Sequence, residues 1–106
     1  MGAGHYRHRC QLYRNEPIRD PLGGDTDRWV LVRAFWGDVR AVSGRNWLAA
    51  AQHQAEVTVE IHCRPLAALA GMRVAHDTLT YQIEQPLLDR GRHRLRLMCK
   101  TVTSIW

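Results

Sequence analysis

The stretch that decides the fold is residues 43–64, SGRNWLAAAQHQAEVTVEIHCR. In its second half, apolar and polar side chains alternate strictly. The apolar set is Val57, Val59, Ile61 and Cys63, and the polar set is Thr58, Glu60, His62 and Arg64. A period of two is typical of a strand with one face buried and the other in water. The segment therefore favours packing and contact rather than catalysis.

The composition predicts one domain spanning residues 1–106. The chain has 106 residues, of which 45% are hydrophobic, enough for a modest single core. The opening MGAGHYRHRC is basic with no apolar stretch behind it, and no run approaches the roughly 20 apolar residues that span a bilayer. We therefore expect a soluble protein that has no membrane partner and is made in the cytoplasm.

Three cysteines, Cys10, Cys63 and Cys99, lie far apart in the chain. Each falls on the apolar phase of a strand-like run, where a free cysteine acts as a small hydrophobe. The odd count disfavours a disulfide framework, and zinc sites require clustered ligands. We expect buried free thiols, with no metal and no cofactor.

The net charge is +5 and the basic residues concentrate near the chain ends. In the last predicted strand, arginine and lysine alternate with leucine and cysteine. The basic candidates are Arg90, Arg92, Arg94, Arg96 and Lys100. They could lie beside phosphates, where attraction is salt-dependent and independent of sequence. They could instead pair with the acidic loop of a neighbouring subunit, or form an ordinary solvated face.

The order of apolar runs and turn signals predicts an all-β fold, a small antiparallel β-barrel or sandwich with one short inserted α-helix. Strands are expected at 6–13, 28–42, 56–64, from residue 72, at 79–84 and at 92–102. Gly37 predicts a bulge or bend, and Pro86 a strand end. The helix is expected over 45–54, capped by Ser43. The predicted core is Val57, Val59, Ile61, Leu79, Tyr81, Ile83, Leu95 and Leu97.

Two segments are predicted to protrude and make contacts. The loop 14–27 is rich in proline and glycine and too long for a simple hairpin connection. The segment 43–55 is short and alanine-rich, so it needs packing or a neighbour to hold it. The candidate interface residues are Glu16, Asp20, Asp25 and Asp27 in the first segment and Arg45, Trp47, Gln52 and Gln54 in the second.

The ordered set of motifs resembles the head-closure, or head–tail joining, proteins of tailed bacteriophages. The similarity runs through HRCQLYR at 8–14, the Trp-bearing strand at Trp29, AFWGDVRAVSGRNWLAAAQHQAEVTVEIHCRP at 34–65, and MRVAHDTLTYQIEQPLLDRGRHRLRLMC at 72–99. The chain departs from the family pattern at His62 and Cys63, where further arginine or aromatic residues are common, and in its final TSIW.

The resemblance implies a structural virion protein rather than an enzyme. Such proteins form a homo-oligomeric ring between the portal or adaptor protein and the tail or tail-completion protein. The ring closes the DNA-filled head and provides the surface to which the tail attaches. It places the chain in the virion neck, close to packaged double-stranded DNA without sequence-specific recognition, and in the host cytoplasm during assembly.

The alternative is a small nucleic-acid-binding β-barrel of the OB or SH3-like kind. The basic composition and strand count fit it equally well. Its tryptophans would be expected to form a stacking platform, yet Trp29, Trp36, Trp47 and Trp106 fall on different elements. An enzyme is not expected, because the chain has no glycine-rich phosphate loop and no clustered ligand set.

Overall fold

The computed structural model describes residues 6–50 and 53–102, with the side chains of 43–50 and 53–56 outside that description. Every regular element in these ranges is a strand, as an all-β fold requires. The strands are β1 His8–Asn15, β2 Ile18–Arg19, β3 Asp25–Thr26, β4 Trp29–Ala50, β5 His53–Cys63, β6 Arg73–His76, β7 Leu79–Asp89 and β8 Arg94–Val102.

Six strands close into a barrel in the order β1-β4-β5-β8-β7-β6, and every neighbouring pair is antiparallel. The strands β2 and β3 form a separate two-stranded ribbon in the connection between β1 and β4. Closure leaves the barrel without the exposed edges of an open sheet. The prediction of a small antiparallel barrel is confirmed.

The barrel interior is filled by the alternating apolar positions. The core cluster is Cys10, Leu12, Phe35, Val59, Ile61, Cys63, Ala68, Val74, Tyr81, Ile83, Leu95, Leu97 and Cys99. Seven of the eight predicted core residues are buried. The prediction for Leu79 is wrong, because its side chain is 49% exposed. Among the described residues, pairing of β7 with β8 begins at Thr80, so Leu79 lies at the rim of the described barrel.

All three cysteines are free and buried, as expected. Burial raises the pKa of the Cys10 thiol to about 11 and that of Cys63 to about 12, and it also raises the pKa of Cys99. Because the thiolate is the nucleophile, these three groups are protected from reaction at neutral pH.

The predicted helix over 45–54 is wrong. The backbone at residues 46–50 belongs to β4, and residues 53–57 of β5 pair with it from Asn46↔Val57 to Ala50↔His53. Residues 51–52 lie outside the described ranges. Alanine favours helix, but propensity is a weak prior and so short a helix is marginal alone. Continuation of the β4–β5 ladder provides hydrogen-bond partners for the backbone N–H and C=O groups instead.

The far end of this hairpin projects beyond the barrel. The strand β1 pairs with β4 only as far as Gly37, and β8 pairs with β5 only from Val59 onward. Residues 46–50 and 53–57 therefore form a two-stranded arm with no further strand on either side among the described residues. The arm overlaps the segment 43–55 that the sequence marks as protruding, but as strands rather than helix.

Gly37 does not mark a bulge. It is paired on both sides, with His8 of β1 and Cys63 of β5, and the irregularity in the β1–β4 ladder lies between Leu12 and Tyr13. Close packing explains the glycine better. A Cβ built on Gly37 would lie 3.0 Å from Ile61 Cγ2 and 3.3 Å from the His62 carbonyl oxygen.

Replacing Gly37 with Val is therefore expected to destabilise the fold by about 1–3 kcal/mol, the usual cost of overpacking a filled core. Thermal or urea unfolding measures the change. Gly24→Val is the matched control, because a Cβ there has nothing within 4 Å. It should change stability by less than about 0.5 kcal/mol. Equal effects at the two positions would show that close packing is not the reason for Gly37.

The sequence predicts a strand end at Pro86, but the strand does not end there. The strand β7 continues to Asp89 and pairs with β8 on both sides of the proline, with Pro86 opposite Leu97. On its other side, β7 pairs with β6 only as far as Gln82. Pro86 can thus occupy a position where one edge of the strand needs no backbone donor.

Candidate nucleic-acid interface and contact surfaces

The turn between β7 and β8 gathers four of the five predicted basic residues. Pairing of Asp89 with Arg94 closes the hairpin, and His93 takes a left-handed backbone conformation (φ 53°) within it. The result is a groove of about 540 Å³, here called the arginine groove. Its lining residues are His62, Leu87, Leu88, Asp89, Arg90, Arg92, Arg94 and Arg96. The four arginines of the predicted basic set thus share one continuous surface.

Carboxylates offset only part of this positive charge. Arg92 Nε lies 3.9 Å from Asp89 Oδ2, and Arg96 Nε lies 4.0 Å from Glu60 Oε1. Arg94 Nε is buried without a hydrogen-bond partner among the described residues. Four guanidinium groups therefore face two carboxylates. Such planar donor forks match the geometry of phosphate and carboxylate oxygens.

His62 closes the inner side of the groove, on the strand β5 beside Arg96. Its Nε2 lies 3.1 Å from Glu60 Oε1, and its Nδ1 is buried with no hydrogen-bond partner among the described residues. Burial lowers the pKa of His62, and the nearby Arg40 and Arg94 lower it further, although Glu60 acts in the opposite direction. His62 is therefore neutral at pH 7.

A lowered histidine pKa makes stability depend on pH. The unfolded chain binds the proton near pH 6.5 while the folded chain resists it, so the contribution of neutral His62 is complete above pH 6.5 and falls as pH drops below it. Wild type should thus lose more thermal stability than His62→Gln between pH 7.5 and pH 5. The two proteins share all other titrating groups. An equal fall in melting temperature for both between pH 7.5 and pH 5 would therefore contradict this assignment.

Lys100, the fifth basic candidate, lies apart from the groove. It is further along β8, and its Nζ lies 4.0 Å from Glu84 Oε2. The neighbouring Gln82 also donates to that carboxylate, at 3.2 Å. Lys100 is thus part of a separate polar group on the outer face of β7 and β8.

The acidic loop is an ordered hairpin. Glu16 forms ion pairs with Arg14 and Arg28 of its own chain, and hydrogen bonds from these two arginines lower its pKa. Asp27 accepts a hydrogen bond from Asn15 Nδ2 at 3.0 Å. These contacts fix the base of the hairpin and engage two of the four predicted acidic residues, leaving Asp20 and Asp25 nearer its tip.

For the second set of predicted interface residues, in the segment 43–55, the structure describes only the backbone. Residues 45–50 lie in β4 and Gln54 lies in β5, so Trp47 and Gln54 belong to the arm and Arg45 directly precedes it. Their side chains are not described, and Gln52 lies outside the described residues.

A second groove was not predicted from the sequence. It has a volume of about 640 Å³ and is here called the Trp36 groove. The residues around it are Tyr6, Arg7, Arg33, Ala34, Phe35, Trp36, Arg64, Pro65 and Leu66. The Trp36 side chain is 52% exposed, and the Arg9 guanidinium carbon lies 5.2 Å from its ring centre. Three segments far apart in sequence build this surface, so only the exposed phase of Trp36 could have signalled it.

Comparisons with known proteins agree with this architecture. The family model for phage head completion protein matches residues 1–102. Head completion protein gp7 of Enterobacteria phage HK97 is 26% identical over 108 residues, covering 95% of this chain and 96% of that protein. The solution structure of protein SF1141 from Shigella flexneri 2a is 26% identical, with a TM-score of 0.72, covering 98% of this chain and 99% of that one.

A third protein shares the fold at lower identity. A chain from the virion of a native gene transfer agent particle superposes with a TM-score of 0.66 at 17% identity, covering 93% of this chain and 97% of that one. Among the described residues, no helix is long and apolar enough to cross a membrane.

Proposed function

The chain belongs to the phage head completion protein family, whose role in the head–tail neck is structural, and we propose that copies of it form a ring between the portal or adaptor and the tail. Subunits made in the host cytoplasm join the portal after packaging, close the DNA-filled head and present the surface to which the tail attaches. The barrel is the rigid block of this ring, and the segments outside it make the contacts.

The arginine groove is the observation that carries the role beside DNA. Arg90 is in no ion pair with another described residue, and Arg94 Nε has no hydrogen-bond partner among them. One subunit offers few phosphate contacts, so its affinity for DNA is weak at physiological salt. A ring repeats the groove in every subunit and multiplies contacts that are independent of sequence. Weak, repeated attraction holds DNA near the channel wall and still lets it move.

The two protruding segments suit the contacts above, below and between subunits. The hairpin 14–27 and the arm, which overlaps the segment 43–55, both extend as two-stranded ribbons from the same barrel wall, β1–β4–β5. Each presents backbone groups on its outer edge, which can pair with a strand of another protein. We assign them to neighbouring subunits, the portal or adaptor, and the tail.

Phage that lack the gene for this chain test the structural role. We expect their lysates to contain DNA-filled heads and free tails that do not join, as counted by electron microscopy. Adding the purified protein to that lysate should restore joined particles and infectivity. A phage that assembles normal, infectious virions without the gene would overturn the proposal.

A further inference from the structure

The tip of the acidic hairpin carries an exposed leucine. Leu22 is 93% exposed, between the short strands β2 and β3. The tip is nonetheless ordered, because Asp20 N donates to the Gly24 carbonyl at 2.6 Å and Leu22 N donates to Asp20 Oδ1 at 3.1 Å. A large apolar side chain held out in water by a rigid turn suits insertion into a cavity.

The charge of this hairpin is strongly negative. Residues 16–27 contain four carboxylates and one arginine, a net charge of −3 in a chain whose overall charge is +5. Asp20 and Asp25 flank the exposed leucine. The partner of this tip should therefore have an apolar cavity with a basic rim.

The Trp36 groove has that chemistry. Phe35, Trp36 and Leu66 supply an apolar floor, and Arg7, Arg33 and Arg64 surround it. None of these three guanidinium groups forms an ion pair with another residue in the described part of the chain.

The hairpin cannot reach the groove of its own chain. The groove lies at the His8–Gly37 end of the β1–β4 ladder and the hairpin follows its Asn15–Trp29 end. The hairpin continues the ladder beyond its Asn15–Trp29 end through the bond from Glu16 N to the Arg28 carbonyl, and the seven residue steps from Trp29 to Trp36 put Trp36 roughly 23 Å from the base of the hairpin. Any such contact must therefore join two molecules, with the tip of one in the groove of the next.

We propose that the Leu22 tip of each subunit inserts into the Trp36 groove of its neighbour, with Asp20 and Asp25 beside the arginines of the rim. This contact is head-to-tail, the kind that closes into rings. It rests on the proposed ring and specifies its subunit interface. It also leaves the arginine groove free for phosphates, because the acidic hairpin is engaged elsewhere.

Cysteine crosslinking in assembled particles tests the contact. The Leu22→Cys/Ala34→Cys double variant places one thiol on the tip and one in the groove, while the native cysteines remain buried and protonated. A short bismaleimide added to complemented particles should then link subunits into a covalent ladder, seen on denaturing gels. Its largest band reports the number of subunits in the ring. Each single variant should give no ladder.

The matched control is Leu22→Cys/Arg92→Cys, which moves the second thiol to the arginine groove. A ladder from this pair alone would overturn the proposal in favour of a contact between the acidic hairpin and the arginine groove. Rings visible at the neck with no ladder from either pair would also overturn it, while leaving the proposed function intact. Absence of rings at the neck would defeat both.

Substitutions of exposed leucines provide a second, independent test. Leu22→Ser should reduce head–tail joining at least ~10-fold, as expected for loss of an interface anchor. Leu69→Ser, at a position 64% exposed that belongs neither to the hairpin nor to the lining of the Trp36 groove, should leave joining unchanged. Both side chains are exposed to solvent, so the two variants should have the same melting temperature as monomers. Equal joining by the two variants would contradict the proposal.

Discussion

Replacing Ile61 with Ala is expected to destabilise the protein by about 2–5 kcal/mol, the range for truncating a large side chain in a filled core. Ile61 is fully buried in the middle of β5, with Val39 of β4 and Leu97 of β8 as its neighbours in the ladder. Its Cγ2 also fills the space beside Gly37, so the barrel wall cannot easily collapse into the cavity. Urea unfolding of the purified chain measures the loss.

The matched control is Leu31→Ala in β4, because Leu31 is 52% exposed. It should change stability by less than about 0.5 kcal/mol. Small domains are stable by only about 5–15 kcal/mol, so the Ile61 variant should lose a large share of the total. Similar losses at both positions would mean that the apolar phase of β5 is assigned to the wrong face.

Reversing charge in the arginine groove should abolish most attraction for DNA without preventing assembly. Arg90→Glu/Arg96→Glu changes two exposed side chains in every subunit of the proposed ring. We expect portal complexes that carry this variant to bind duplex DNA at least ~10-fold more weakly at low salt, with a shallower dependence on salt. Binding is followed by fluorescence anisotropy across a salt series.

Three further variants make that test specific to the groove. Arg90→Gln/Arg96→Gln removes the charges without reversing them, so its effect should be intermediate. Lys100→Gln lies on the same strand as Arg96 but outside the groove, and it should have less effect than Arg96→Gln. Loss of ring assembly in the Glu variant would instead assign these arginines to a neighbouring subunit. Unchanged assembly and unchanged DNA binding would make them ordinary surface.

Local alternation predicted most of the barrel because a strand with one buried face leaves its period in the sequence. The run from Val57 to Cys63 is the clearest case, and it lies in β5 as expected. The clustering of arginines in the arginine groove could also be predicted from the sequence, because these residues are near neighbours along one turn and strand. Predictions failed where a distant partner decides the outcome. Residues 46–50 favour helix locally but extend the β4–β5 ladder.

The same limit explains the surface that was missed. The Trp36 groove combines residues 6–7, 33–36 and 64–66, which meet only because β1, β4 and the end of β5 are adjacent in the barrel. No local sequence pattern predicts that these three segments are adjacent in the fold. The prediction for Leu79 fails for a related reason, because its exposure depends on its position beyond the last described β7–β8 pair, Thr80 with Val102.

A cryo-electron microscopy reconstruction of the neck in assembled particles tests the central claim most directly. We predict a ring of this chain between the portal or adaptor and the tail, with residues 90–96 of each subunit facing the DNA channel. The hairpin 14–27 of each subunit should reach the next one. A neck that lacks this chain, or a ring with residues 90–96 on its outer surface, would contradict the account.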